Sequence, residues 1–135
     1  SVQINPFVKA GGFEFFGIME RAMNGDTAGD ETTGDTKIGG AYTQIGMEAI
    51  YRFGTDERVN LAGRFNSVSG KGNDESGTLN KKTSRINIGG GWFMTDNVLT
   101  KIEYVKQSYT DDGWNGSKYQ GSIFNGIVIE AAISF

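Results

Sequence analysis

The chain has 135 residues, enough for one domain or part of one, and it contains no cysteine and no histidine. It therefore offers no disulfide framework, zinc finger, histidine or cysteine haem ligand, thiol nucleophile or Ser-His-Asp triad. The net charge of −3 and the pI near 4.9 argue against a nucleic-acid partner, which needs a basic surface. No apolar run approaches the ~18 residues of a transmembrane helix, and the sequence does not open with the charged-then-apolar pattern of a signal peptide, so we expect an exported protein to be a mature or truncated chain.

Apolar and polar residues alternate with a period of two through most of the chain, which predicts β-strands. Clusters of Gly, Asp, Asn and Ser separate the alternating runs. We expect six strands, at 5–23, 41–53, 58–68, 84–94, 98–109 and 123–135. The predicted fold class is all-β, an antiparallel meander of about six strands in one segment that spans 1–135.

The predicted connections alternate between long and short. Residues 25–37, 69–83 and 110–121 form the long ones, and 54–57 and 95–97 form tight turns. In an antiparallel meander all long loops then lie at one end and all short turns at the other. Outer-membrane barrels have this asymmetry, with long extracellular loops and short periplasmic turns.

The two faces of the last five predicted strands differ sharply, because alternate residues of a strand share a face. One face carries no charge. The other carries the residues that we expect to line a pore: Glu48, Arg52, Arg58, Asn60, Arg64, Arg85, Asn87, Lys101, Glu103 and Glu130. A soluble barrel would turn the apolar face inward, whereas a membrane barrel would turn it toward lipid.

Three features favour lipid over the inverted, soluble barrel. Tyr51, Phe53, Trp92 and Phe135 lie on the apolar face at the short-turn end, as an interfacial aromatic girdle would. The last strand ends on an aromatic residue. The apolar band spans about nine residues per strand, close to the ~9–11 that a tilted strand needs to cross a bilayer.

The first predicted strand fits this pattern poorly. Lys9 and Arg21 share the parity of its apolar residues. Both could extend to the membrane interfaces, or a β-bulge near Gly11 and Gly12 could change the facing of the strand.

The C-terminal run FNGIVIEAAISF resembles the closing strand of a Gram-negative outer-membrane barrel. In such barrels a terminal Phe with alternating apolar residues is a recognition signal for the barrel-assembly machinery. The resemblance implies that role for Ile127, Ile129, Ala131, Ile133 and Phe135, although Glu130 stands where a Gly is common. The segments NPFVKAGGFEFFGIMERA, GMEAIYRFG, LAGRFNSVSG and IGGGWFMTDNVLTKIEYVKQSY are similar to the C-terminal part of porin-like proteins, among them the phosphate-selective O/P-type porins.

Six strands cannot close a barrel alone, because single-chain bacterial barrels need at least ~8. An open sheet would leave two unpaired edges in lipid. We expect the C-terminal part of a larger barrel, or one share of a barrel formed by several like chains.

Several candidate sites have a plain alternative. Among Glu48, Glu103 and Glu130, two could act as a general acid and a general base, as in a glycosidase. We expect instead that these glutamates form ion pairs with Arg and Lys on neighbouring strands. The loop acids Asp26, Asp30, Glu31 and Asp35 do not have EF-hand spacing, so we expect a solvated loop and no metal. Gly89, Gly90 and Gly91 lack the context of a phosphate cradle. Trp114 and Tyr119 could contact a ligand or pack within the loop, and we assign them no functional role.

We therefore expect a non-enzymatic, cofactor-free barrel of the outer membrane of a Gram-negative bacterium. Its function would be passive diffusion of small hydrophilic solutes. Five basic against three acidic charges on the strands could favour anions, or mixed charges could only keep the pore wet. The alternatives are a non-conducting barrel that docks a surface complex and a soluble, lipocalin-like ligand-binding barrel. Expected partners are outer-membrane lipid, the assembly machinery and other outer-membrane proteins or like subunits.

Overall fold

A single antiparallel sheet makes up almost the whole structure. The computed structural model describes residues 1–23, 42–74 and 77–134, without the side chains of 71–79 and 112. The strands are β1 (Val2–Ile4), β2 (Phe7–Ala10), β3 (Phe13–Ala22), β4 (Tyr42–Phe53), β5 (Val59–Asp74), β6 (Gly77–Thr95), β7 (Val98–Thr110) and β8 (Ile123–Ile133). A single 3-10 turn at Asp112–Trp114 follows β7. The meander order from β3 to β8 is sequential, so the predicted all-β meander is confirmed.

The first predicted strand is wrong, because the chain reverses at Gly11 and Gly12. β2 pairs with β3 across this turn, and β1 continues the same edge beyond Asn5 and Pro6. Proline lacks an N–H and suits an edge strand. The eight strands therefore occupy seven positions across the sheet, and the sheet is open.

The turn also changes the facing of Lys9. Lys9 stands opposite Glu14, on the charged face, and Val8 stands opposite Phe15, on the apolar face. The expectation that Lys9 extends along the apolar face to an interface is therefore wrong. Arg21 does lie on the apolar face, opposite Thr43 near the end of β3.

The predicted loop at 69–83 is also wrong, because β5 and β6 continue as a ladder to the pair Asp74 and Gly77. This extension is rich in Gly, Ser, Lys and Asn, so its sequence has no apolar alternation to reveal strands. Backbone hydrogen bonds hold it together instead. The tight turns after β4 and after β6 are found as predicted, and both lie at one end, the short-turn end. The loop at 25–37 lies outside the described residues.

The sheet has no hydrophobic core of its own. Among the described residues, Val105 is the one apolar side chain that is buried, and large apolar side chains are exposed along nearly every strand. The cross-strand register places the apolar sets of β4 to β8 on one face and the polar sets on the other. We call these the apolar face and the polar face.

Candidate pore-lining face

The polar face is the more crowded of the two faces. Asn87 and Val105 on this face are 6% exposed, whereas Ile88 and Ile102 on the apolar face are 56% and 55% exposed. Curvature of a sheet crowds the side chains on its concave face. We infer from the difference in exposure that the central strands curl toward the polar face and leave the apolar face convex.

Acidic and basic side chains on the polar face pair across neighbouring strands. Glu48 of β4 stands opposite Arg64 of β5, and Arg64 Nε donates to Glu48 Oε2 at 2.5 Å. Lys101 of β7 stands opposite Glu130 of β8, with Nζ 3.5 Å from Oε1. These contacts place cations beside two of the three strand glutamates, as expected from the sequence.

Glu14 completes a charged cluster that the sequence did not reveal. Its Oε1 lies 2.7 Å from Lys9 Nζ and 2.5 Å from Arg52 Nη1, and Arg52 Nε lies 3.9 Å from Glu57 Oε2. Both Glu14 and Lys9 belong to the run whose facing was uncertain. The Gly11–Gly12 pair was the sequence signal that could have found them, because a two-residue glycine turn reverses the strand and puts Lys9 opposite Glu14.

A second charged cluster lies at the short-turn end. Arg58 Nη2 donates to Asp96 Oδ1 at 3.0 Å, and Arg58 Nε lies 3.5 Å from Asp56 Oδ2. Arg52, Arg58 and Asp96 help to line an open cavity of about 310 Å³ beside these groups. The two tight turns therefore present paired charges at this rim.

Glu103 differs from the other two strand glutamates. It accepts a 2.6 Å hydrogen bond from Asn87 Nδ2, and no cation lies within salt-bridge distance of it in the described parts of the chain. Arg85 Nε donates to Gln107 Oε1 at 2.7 Å. Polar groups therefore continue across β6 and β7. The register puts nine of the ten predicted pore-lining residues on the polar face, and the tenth, Arg58, precedes β5.

The apolar residues singled out in the sequence lie on the convex face. Tyr51 and Phe53 contact each other edge to face, with ring centroids 4.8 Å apart, and Trp92 is on the same face. Ile127, Ile129 and Ile133 are exposed along the outer strand β8. Phe135, predicted for both the girdle and the assembly signal, lies outside the described residues.

On β3 to β8 the apolar band meets one polar residue toward the long-loop end, and these six residues form the polar boundary. They are three opposed pairs: Arg21 with Thr43, Ser67 with Ser84, and Lys106 with Asn125. Apolar Ile123 lies beyond the boundary on β8, and apolar Val2 on β1 stands opposite Arg21. Thr43 stands opposite Ser69, so the boundary moves two residues toward the short-turn end between β4 and β5. Ser84 stands opposite Ser108, so it moves by two more between β6 and β7.

The edge of the band at the short-turn end moves in the same direction. Its steps fall between β3 and β4 and between β5 and β6. Phe13 is the last apolar-face residue of β3, and it stands opposite Tyr51, two residues short of Phe53. Val59 stands opposite Trp92, again two residues short of Met94, the last such residue of β6. Each edge of the band therefore drifts by four residues over the five junctions from β3 to β8. Thr100 is the polar exception inside the band, and its hydroxyl contacts Met94 Sδ at 3.4 Å.

The aromatic residues of the last loop pack against one another. Tyr109, Trp114 and Tyr119 have ring centroids 5.1 to 5.7 Å apart. Trp114 Nε1 donates to the carbonyl oxygen of Lys82 at 3.0 Å. Because Tyr109 is on the polar face, this loop folds over the concave side of the sheet.

Comparison of the chain with protein-family models, curated proteins and solved structures found no match. No helix in the described part of the chain is long and apolar enough to cross a membrane.

Proposed function

We propose that this chain forms part of the wall of a Gram-negative outer-membrane β-barrel through which small hydrophilic solutes diffuse passively. The observation that carries the proposal is the difference in exposure between the two faces, from which we infer that the ionised polar face is concave and the exposed apolar face is convex. A membrane barrel places these faces toward a wet lumen and toward lipid. A soluble, lipocalin-like barrel needs the opposite curvature.

The drift of the apolar band supports lipid as the medium outside the barrel. A drift of four residues over five junctions is about 2.6 Å for each strand spacing of about 4.8 Å, which corresponds to a strand tilt of about 29°. This tilt is somewhat smaller than the tilts of transmembrane barrels, about 35–45°. Both edges of the band drift together, which is what two parallel membrane surfaces require of a tilted sheet.

Closure of the barrel requires further strands, and their number is odd. β2 and β8 occupy the two edges, and both run from the long-loop end toward the short-turn end. Two edges with the same direction cannot pair antiparallel with each other. An odd number of intervening strands restores the antiparallel ladder and gives an even total, as in bacterial barrels.

Because β2 and β8 run in the same direction, copies of these strands alone are poor partners for an edge-to-edge barrel. Each junction would join β8 of one copy to β1 and β2 of the next, and that junction would be parallel. We therefore favour a larger barrel of which these seven strand positions are part.

The proposal includes no catalytic step and no cofactor. Glu48 and Glu130 contact cations, and Glu103 is hydrogen-bonded to Asn87, so their role in the proposal is electrostatic. The exposed Ile127, Ile129 and Ile133 on β8 support the proposal that this strand is read by the barrel-assembly machinery.

Cysteine accessibility tests the facing of the sheet, since the chain has no native cysteine. Lys101 and Ile102 are adjacent, exposed and on opposite faces. In the natural protein reconstituted in lipid vesicles, we expect a membrane-impermeant maleimide to label Lys101→Cys readily and Ile102→Cys only after denaturation. The reverse labelling would overturn the membrane orientation and favour the soluble barrel.

Conductance in planar bilayers tests the pore itself. Stepwise, ohmic currents from the purified natural protein would support diffusion of small solutes. A correctly oriented barrel that carries no current would overturn that function and favour the docking barrel.

A further inference from the structure

Three cations stand on the apolar face, and they are the charged residues of that face among the side chains that the structure describes. They are Arg21 on β3, Lys82 on β6 and Lys106 on β7, and all three are exposed. Arg21 and Lys106 belong to the polar boundary, and Lys82 lies two residues beyond Ser84 in the same direction. The charge on this face is therefore purely positive and confined to one end.

Most cations of the polar face have a carboxylate partner. Lys9, Arg52, Arg58, Arg64 and Lys101 each lie within 4.0 Å of a carboxylate, whereas Arg85 donates to Gln107 and Lys81 lies over the Trp114 ring. Across residues 1–23, 42–74 and 77–134, no such carboxylate contact involves Arg21, Lys82 or Lys106. An anion from outside the sheet can reach them without displacing a pair among the described residues.

From this arrangement we infer that Arg21, Lys82 and Lys106, at and just beyond the polar boundary, bind the phosphate groups of anionic lipid headgroups at the long-loop end. The inference rests on the proposed function, since it places the band beside the boundary in the hydrocarbon of the bilayer. Long basic side chains at the end of such a band extend to the headgroup layer. The Asn125 amide of the same boundary adds hydrogen-bond donors to phosphate oxygens. The Ser67 and Ser84 hydroxyls lie 3.3 Å apart and bond to each other, so together they add one more.

The short-turn end of the apolar face has a different character. Among the described residues of the apolar face, those nearest this end are apolar and carry no charge: Phe53, Trp92, Met94 and Ile133. Aromatic side chains suit an interface without requiring anionic lipid. The asymmetry therefore assigns the phosphate-rich leaflet to the long-loop end.

Lipid retention by the purified natural protein tests the inference. Native mass spectrometry would measure bound phosphatidylglycerol and bound phosphatidylcholine after exchange into mixed micelles of both lipids. We expect a preference for phosphatidylglycerol that falls about fivefold for each cation removed in R21Q, K82Q and K106Q. The charge-retaining variant R21K/K82R/K106R should keep the preference.

Arg85→Gln is the matched control, because it removes a cation from the same strand as Lys82 but from the polar face. It should leave the lipid preference unchanged. If the wild-type protein inserts and conducts but shows no preference for phosphatidylglycerol, the inference is overturned while the proposed function stands. A protein that remains in the soluble fraction and retains neither lipid would overturn both.

Discussion

Glu48 and Arg64 stand directly opposite each other on β4 and β5, and their side chains form an ion pair on the concave face of the sheet. The Arg64 side chain is 52% exposed and that of Glu48 is 26% exposed, so solvent screens the pair. Such a pair contributes little to stability, about 0.2–1 kcal/mol, but it fixes how two opposite charges are placed on the wall. In a pore this placement sets the local field.

Neutralising one partner of this pair should change selectivity more than stability. Glu48→Gln leaves the Arg64 guanidinium without its counterion and should shift the reversal potential toward anions in a salt gradient. The free energy of unfolding should fall by at most about 1 kcal/mol. The swapped variant E48R/R64E should restore the wild-type reversal potential. An unchanged potential in Glu48→Gln would contradict a lumen position for the pair.

Ala131 and Ala132 provide a matched test of the two faces. Both are exposed on β8, with Ala131 on the apolar face and Ala132 on the polar face. In lipid, Ala131→Arg should lower the free energy of unfolding by about 2–4 kcal/mol, because it places a cation in the apolar band. Ala132→Arg should change it by less than about 1 kcal/mol. Denaturant titration in vesicles gives both values, and the opposite ranking would indicate a soluble barrel.

Gly89 should be far less tolerant of a side chain than Gly63. A Cβ at Gly89 would lie 2.5 Å from the carbonyl oxygen of Ile102, whereas a Cβ at Gly63 would meet nothing within 4 Å. Gly89→Ala should therefore cost about 1–3 kcal/mol through overpacking of the β6–β7 pair. Gly63→Ala should be neutral or slightly stabilising, since alanine loses less backbone entropy on folding. Equal stabilities of the two variants would argue against this close approach of β6 and β7.

Trp114 should hold the last loop on the concave face. Trp114→Ala removes the contacts with Tyr109 and Tyr119 and the hydrogen bond to the Lys82 carbonyl. We expect cleavage by an added protease within 111–122 to become several times faster. Trp114→Phe keeps an aromatic ring but not the N–H donor, and should give an intermediate rate. Unchanged cleavage in Trp114→Ala would show that the aromatic cluster does not restrain the loop.

The sequence by itself determined the strand character, the two tight turns and the opposite faces of β4 to β8. Alternation is a property of one strand, since side chains of successive residues point to opposite sides whatever the neighbouring strand does. The positions of Glu48, Arg64, Ile127 and Ile129 on their faces follow from that local rule.

Only the tertiary structure decided the register, the chain reversal at Gly11 and Gly12, and the direction of curvature. The cluster of Lys9, Glu14 and Arg52 depends on pairings between strands, which alternation within a strand does not specify. The polar ladder of β5 and β6 beyond Ser69 is held by backbone hydrogen bonds, so side-chain hydropathy gave no sign of it. Curvature arises from all the strands together, and it decides which of two equally alternating faces is concave.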